Sequence, residues 1–170
     1  MRGILLVGWL LLAACSEPDH RYHSARHGFS LELPASMGWQ NDYLGSAVVA
    51  RPQPGAALQG ELRYLSIDVN DARELGRGLA DYVDFRLSRL QRFARHSEFH
   101  QREQRQLAGY PALRLRASAQ YGPQHNELLL YYVVAGDRGY ALTAAFRPGS
   151  SAAAIQQVDQ WLSSLRFASH

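Results

Sequence analysis

Cysteine occurs once in the 170 residues, at position 15, directly behind Leu12-Ala13-Ala14. A lone thiol can act as a thiolate nucleophile, or it can carry an acyl chain. Its surroundings point to the second use. Arg2 precedes a short apolar run from Ile4 to Leu12, and small residues separate that run from the cysteine. Basic start, apolar middle and small residues are the layout of an export signal. The run is too short to span a bilayer, which needs about 20 apolar residues.

The other chemistry-bearing residues form patterns with weaker specificity. His20, His23 and His27 have a spacing that could bring imidazoles onto a transition metal. They lie in a polar stretch expected to be flexible, and a flexible stretch does not preorganise ligands. His96 and His100, at i and i+4, could share a helix face. No glutamate occupies the second place of an H-E-x-x-H pattern, so they read as surface histidines. Arg86, Arg89, Arg92 and Arg95 recur every third residue, and from 77 to 105 seven arginines face four acids. Bidentate guanidinium contacts could make this row an anion or partner surface. The bland alternative is a solvated helix face whose arginine stems cover its rim, and the small charge excess favours it. Gly28-Phe29-Ser30-Leu31-Glu32 begins like a nucleophile elbow but ends in glutamate and opens a strand. The chain has no phosphate loop and no dinucleotide fingerprint. No catalytic residue, metal site or cofactor is expected, and the chain does not read as an enzyme.

Leu12-Ala13-Ala14-Cys15 resembles a bacterial lipobox. The resemblance implies diacylation of Cys15, cleavage before it and a mature chain held to a membrane by its first residue. More than one acyl chain is needed for stable anchoring, at about 0.8 kcal/mol per buried methylene. Ser16 stands where aspartate resembles an inner-membrane retention signal, so serine favours the outer membrane. The expected location is the bacterial cell envelope, lipid-anchored and facing the periplasm. Residues 1–14 are then signal peptide, 15–27 lipidated cysteine and tether, and 28–167 one domain. With Arg2 removed, 17 arginines face 15 acids, a net of +2. That is too mild for a nucleic-acid binder, which concentrates basic charge on one face. No thiol remains for a disulfide, so packing must hold the domain.

Elements that must position these residues follow from periodicity. Phe29, Leu31 and Leu33 alternate up to Pro34, and Leu44–Ala50 and Leu62–Val69 read as further strands. Gly38-Trp39 reads as loop. Over 78–95 the period changes: Leu79, Tyr82, Val83, Leu87, Leu90 and Phe93 fall on one helix face. Residues 99–107 are almost wholly polar, as in an edge strand. Leu113, Leu115, Ala117 and Ala119 alternate with polar residues. Leu128 to Ala135 is apolar on both faces, as in a strand covered from both sides. Tyr140, Leu142, Ala144 and Phe146 alternate again. A serine then caps a helix over 151–165 with Ile155, Val158, Trp161, Leu162 and Leu165 as its stripe. Four consecutive strands between 99 and 147 with short turns must be antiparallel neighbours. The fold expected is α+β: a three-layer α/β/α sandwich, with a central antiparallel sheet of about six or seven strands and a helix on each face.

That order resembles the PsbP/Mog-like fold, and within it the DcrB-like bacterial lipoproteins. Phe29 to Pro34 followed by Trp39 is similar to the family's opening, and Gly109-Tyr110-Pro111-Ala112 to its entry into a long strand. Tyr131 to Val134, Gly139-Tyr140-Ala141-Leu142-Thr143 and Ser164-Leu165-Arg166-Phe167 are similar to its last strands and end. These marks set turns and core, so they bear on fold more than function. The resemblance carries no shared catalytic residues. It implies a non-catalytic accessory or assembly factor that binds another envelope protein. The alternative is a module for lipid or another apolar ligand. The partners expected are thus the membrane, through the lipid on Cys15, and an envelope protein, with no nucleic acid.

Overall fold

The computed structural model describes residues 19–76 and 78–168. The signal, Cys15 and Arg77 lie outside the described residues. The chain runs β1 (Asp19–Ser24), β2 (Phe29–Pro34), β3 (Met37–Tyr43), β4 (Ser46–Pro52) and β5 (Leu62–Asp71), then a 3-10 turn at Ala72–Leu75. Helix α1 (Leu79–Phe93) follows, then β6 (His96–Leu107), β7 (Tyr110–Tyr121), β8 (Gln124–Ala135) and β9 (Arg138–Phe146). Helix α2 (Ala152–Ser163) and the two-residue β10 (Arg166–Phe167) close the fold.

Seven strands form one antiparallel sheet in the order β3-β4-β5-β9-β8-β7-β6. The four consecutive strands expected to be neighbours are neighbours, and polar β6 is an edge. Strand β8 is apolar on both sides because both sides are covered: Leu128 to Val133 are all buried. Leu128, Leu130 and Tyr132 pack toward Tyr82 and Val83 of α1. Leu129, Tyr131 and Val133 join the cluster that holds Ile155, Val158 and Leu162 of α2. Each helix covers one sheet face, as a three-layer sandwich requires. Ser151 caps α2, its side chain accepting from the Ala154 amide at 3.1 Å, a contact worth about 1 kcal/mol.

Three segments depart from expectation. Residues 19–24, where composition predicts a tether, form β1 and pair along β2 from Asp19 opposite Pro34 to Ser24 opposite Phe29. Strand β2 leaves the main sheet; with β1 and β10 it makes a second, three-stranded sheet. That small sheet packs on the α2 side, where Phe29, Leu31 and Leu33 are fully buried in the same cluster as α2. Its place in the main sheet is taken by β3, read as loop because Gly38 to Tyr43 bury little. Tyr22 joins the two sheets. Its ring sits edge-on to Trp39 at 5.7 Å and its hydroxyl donates to Asn41 Oδ1 at 2.8 Å.

Helix α1 is seated by one close approach. A Cβ on Gly139 would lie 2.5 Å from the Tyr82 ring, so only glycine lets the buried tyrosine rest on β9. Tyr82 also meets Tyr132 edge-on at 6.3 Å. Toward its C-terminal end α1 loses this grip: Leu90 is half-buried and Phe93 is 64% exposed.

Candidate functional site

Where α1 loosens, the sheet beneath it is lined by small residues. Register places Val49, Ser66, Thr143 and Leu130 in one row across β4, β5, β9 and β8. In the flanking rows Ala145 pairs with Tyr64, and Ala141 sits between Asp68 and Tyr132. Serine, threonine and alanine cannot fill the space up to the helix. A cleft of about 440 Å³ opens there, lined by this row, by Arg86, Arg89, Leu90 and Phe93 of α1, and by the β3–β4 hairpin. That volume lies within the range of small-ligand sites, about 300–1,000 Å³.

Asp68 and Arg86 form an ion pair inside the cleft, with side chains 24% and 13% exposed. Asp68 also accepts from Ser46 Oγ at 2.5 Å, and Arg86 Nη1 donates to Asn70 Oδ1 at 3.2 Å. Burial works against the Arg86 charge, yet the Asp68 carboxylate outweighs it and the guanidinium is held protonated, above its usual range. Three tyrosines, Tyr64, Tyr121 and Tyr132, line the same space. Burial pushes the phenols of Tyr121 and Tyr132 up to about 12. The same cause raises Tyr64, with Asp68 adding to it and Arg51 opposing. All three are therefore donors at neutral pH. Among the described residues none hydrogen-bonds those three hydroxyls, so they are available to a ligand.

The mouth combines apolar surface with cation. Leu44 and Gly45 form the two-residue tip of the β3–β4 hairpin, both at positive φ, 51° and 86°. A leucine is disfavoured there, where asparagine followed by glycine is the usual solution. Leu44 is nonetheless 87% exposed beside the cleft. Arg51 lies over the Tyr43 ring at 5.2 Å, and Arg89 over Phe93 at 5.9 Å. Neither has an ion-pair partner among the described residues.

The row of four arginines is thus divided. A three-residue step turns a helix by about 300°, so successive members drift by about 60° around it. Arg86 turns into the cleft and is neutralised, Arg89 reaches the mouth, and Arg92 stays in solvent. Arg95 lies past the helix end, where its amide donates to the Gln120 carbonyl at 2.8 Å. The four do not share one helix face. His96 and His100 are on β6 rather than α1, and His100 Nε2 lies 3.1 Å from Ser118 Oγ. His27 contacts Asp42 at 3.3 Å, and His23 is exposed on β1. Among the described residues no group of three His, Cys, Asp or Glu could hold a metal. The sequence marks Arg86 and Arg89 of this cleft, but not the sheet residues that line it with them. The signal that could have found them is Tyr64-x-Ser66-x-Asp68, a polar stripe on the inner side of a central strand.

The strand order, the helix on each face and the second sheet define a PsbP-like fold. Cyanobacterial PsbP (CyanoP) from Synechocystis sp. PCC 6803 superposes with a TM-score of 0.69 at 15% identity, covering 91% of this chain and 95% of that one. LpqN, involved in cell envelope biogenesis of Mycobacterium tuberculosis, gives 0.53 at 9% identity over 89% and 91%. A Pseudomonas aeruginosa protein of unknown function gives 0.51 at 17% identity over 84% and 92%. At these identities the likeness is one of fold. No protein-family model and no curated protein matches the chain. No helix among the described residues is long and apolar enough to cross a membrane.

Proposed function

We propose that this chain is a lipid-anchored envelope protein, DcrB-like in kind, that acts without catalysis as an accessory or assembly factor for another envelope protein. The observation that carries the non-catalytic reading is the state of the cleft's titratable groups. Asp68 is taken up by Arg86 and Ser46, and Tyr121 and Tyr132 stay protonated up to about 12. Among the described residues that line the cleft Asp68 is the single carboxylate, and its pairing with Arg86 suits binding better than bond breaking. The envelope assignment draws on the lipobox-like stretch ending at Cys15 and on the fold shared with LpqN, a protein involved in cell envelope biogenesis. Crosslinking in native membranes followed by mass spectrometry tests it: one recurrent protein partner is expected, and none would overturn the accessory role. Cys15→Ala should release the chain from membranes, whereas unchanged membrane fractionation would refute the anchor. Serine at position 16 favours the outer membrane, which density separation of the two membranes checks.

The second reading, a module for a lipid or apolar ligand, is favoured by the cleft itself. Its exposed Leu44 and Phe93 belong to a surface that water does not stabilise.

A further inference from the structure

Charge and shape in the cleft are specific enough to name a ligand class. Its charged lining residues are Asp68, Arg51, Arg86 and Arg89. The internal pair cancels, which leaves Arg51 on β4 and Arg89 on α1, two cations from opposite walls without a carboxylate partner among the described residues. Both guanidinium groups already lie over aromatic rings, which holds their planes. Below them Tyr64, Tyr121 and Tyr132 offer hydroxyls without a hydrogen-bond partner among the described residues, while Leu44, Val49, Leu90 and Phe93 supply apolar wall. The Leu44 backbone is independent support. An exposed leucine held at positive φ, where asparagine would relieve strain, is a feature the fold itself does not need.

We infer that the cleft binds a single-chain amphipathic anion: one carboxylate or phosphate on one apolar tail. The headgroup meets Arg51 and Arg89, and the tail lies along the apolar wall. A volume of about 440 Å³ suits one chain rather than the two of a bilayer phospholipid. The inference rests on the second reading above, and the accessory role stands or falls separately.

The test titrates decyl phosphate by calorimetry into the full chain, held in phosphatidylcholine nanodiscs. The Arg51→Gln/Arg89→Gln double variant in identical nanodiscs serves as baseline. The expected result is one-to-one binding, weakened at least about tenfold in the double variant, with both proteins melting alike. Decanol, which lacks the anion, and inorganic phosphate, which lacks the tail, should each bind at least about tenfold more weakly than decyl phosphate. Leu44→Asn should raise the melting temperature and weaken binding together, a combination that a merely structural hairpin would not give. Phosphatidylglycerol vesicles should leave the decyl phosphate isotherm unchanged. Equal binding by the double variant, binding by phosphate alone as tight as by decyl phosphate, or no binding at all would overturn the inference. Competition by the vesicles would overturn the single-chain occupant and point to bilayer lipid. Partner crosslinks that persist in the double variant would show that the accessory role does not depend on this ligand.

Discussion

Strand β9 separates two unlike environments residue by residue. Tyr140, Leu142, Ala144 and Phe146 point to the side of α2 and the small sheet, and all are buried. Ala141, Thr143 and Ala145 point to the side of α1, where the first and last pack under the helix and the middle one lines the cleft. The α2 side is filled by large side chains from three layers of structure. It is also clamped at its edge: Arg114 of β7 donates to Asp159 of α2 at 3.2 Å, and Tyr131 donates to the same oxygen at 2.6 Å. The α1 side is covered by one helix, seated on Gly139 at one end and open at the other. One face holds the fold together, and the other leaves a space that the chain does not fill. The difference lies in side-chain volume on alternate positions of the same strands.

The largest expected effect is on the filled side. Phe29→Ala should cost about 3–5 kcal/mol in urea unfolding, because the ring is fully buried between the small sheet and the main one. A cost near zero would mean that the small sheet is only loosely attached. Next, Gly139→Ala should cost about 1–3 kcal/mol, since a Cβ at 2.5 Å forces the Tyr82 ring to move. If its unfolding midpoint matched wild type, α1 would not be seated as described. The third expectation concerns pH. The phenols of Tyr121 and Tyr132 sit near 12 when folded, above their ordinary value of about 10. Below the ordinary value both states are protonated and nothing changes. Between the two values the unfolded chain loses protons that the folded one keeps, so stability falls as pH rises. Unfolding midpoints followed across that window should show the loss, and Tyr121→Phe with Tyr132→Phe should lessen it without abolishing it, because burial also raises Tyr22, Tyr64, Tyr82, Tyr131 and Tyr140. The smallest effect belongs to Arg89→Glu with Arg92→Glu, expected within about 0.5 kcal/mol because both side chains are exposed. A larger loss would place a packing partner on that part of α1.

The sequence showed the filled side better than the open one. Leu128 to Val133 announced a doubly covered strand, and Ile155, Val158 and Leu162 a helix stripe, because burial of large side chains leaves a periodic trace. Strand β1 left almost none. Only Tyr22 and Ser24 of its last four residues turn inward, and its pairing with β2 runs through backbone groups that side-chain patterns do not report. The exchange of β2 for β3 was hidden for the same reason, since alternation shows that a strand has one buried face but not which sheet owns it. The cleft was invisible because it is made by what is small: Ser66, Thr143, Ala141 and Ala145 look like weak core until register places them together. The arginine row resembles one face because its repeat is three residues, although the helix turns it through several.

The asymmetry of the sheet is tested most directly on two adjacent residues of β9. Urea unfolding of Leu142→Ala and Thr143→Ala, side by side, compares the two faces at neighbouring positions of one strand. Leu142 is fully buried on the α2 side, so its loss should cost about 2–5 kcal/mol. Thr143 borders the cleft, and its truncation should cost less than about 1 kcal/mol. Equal costs, or a larger one for Thr143, would contradict a sheet with one packed face and one left open for binding.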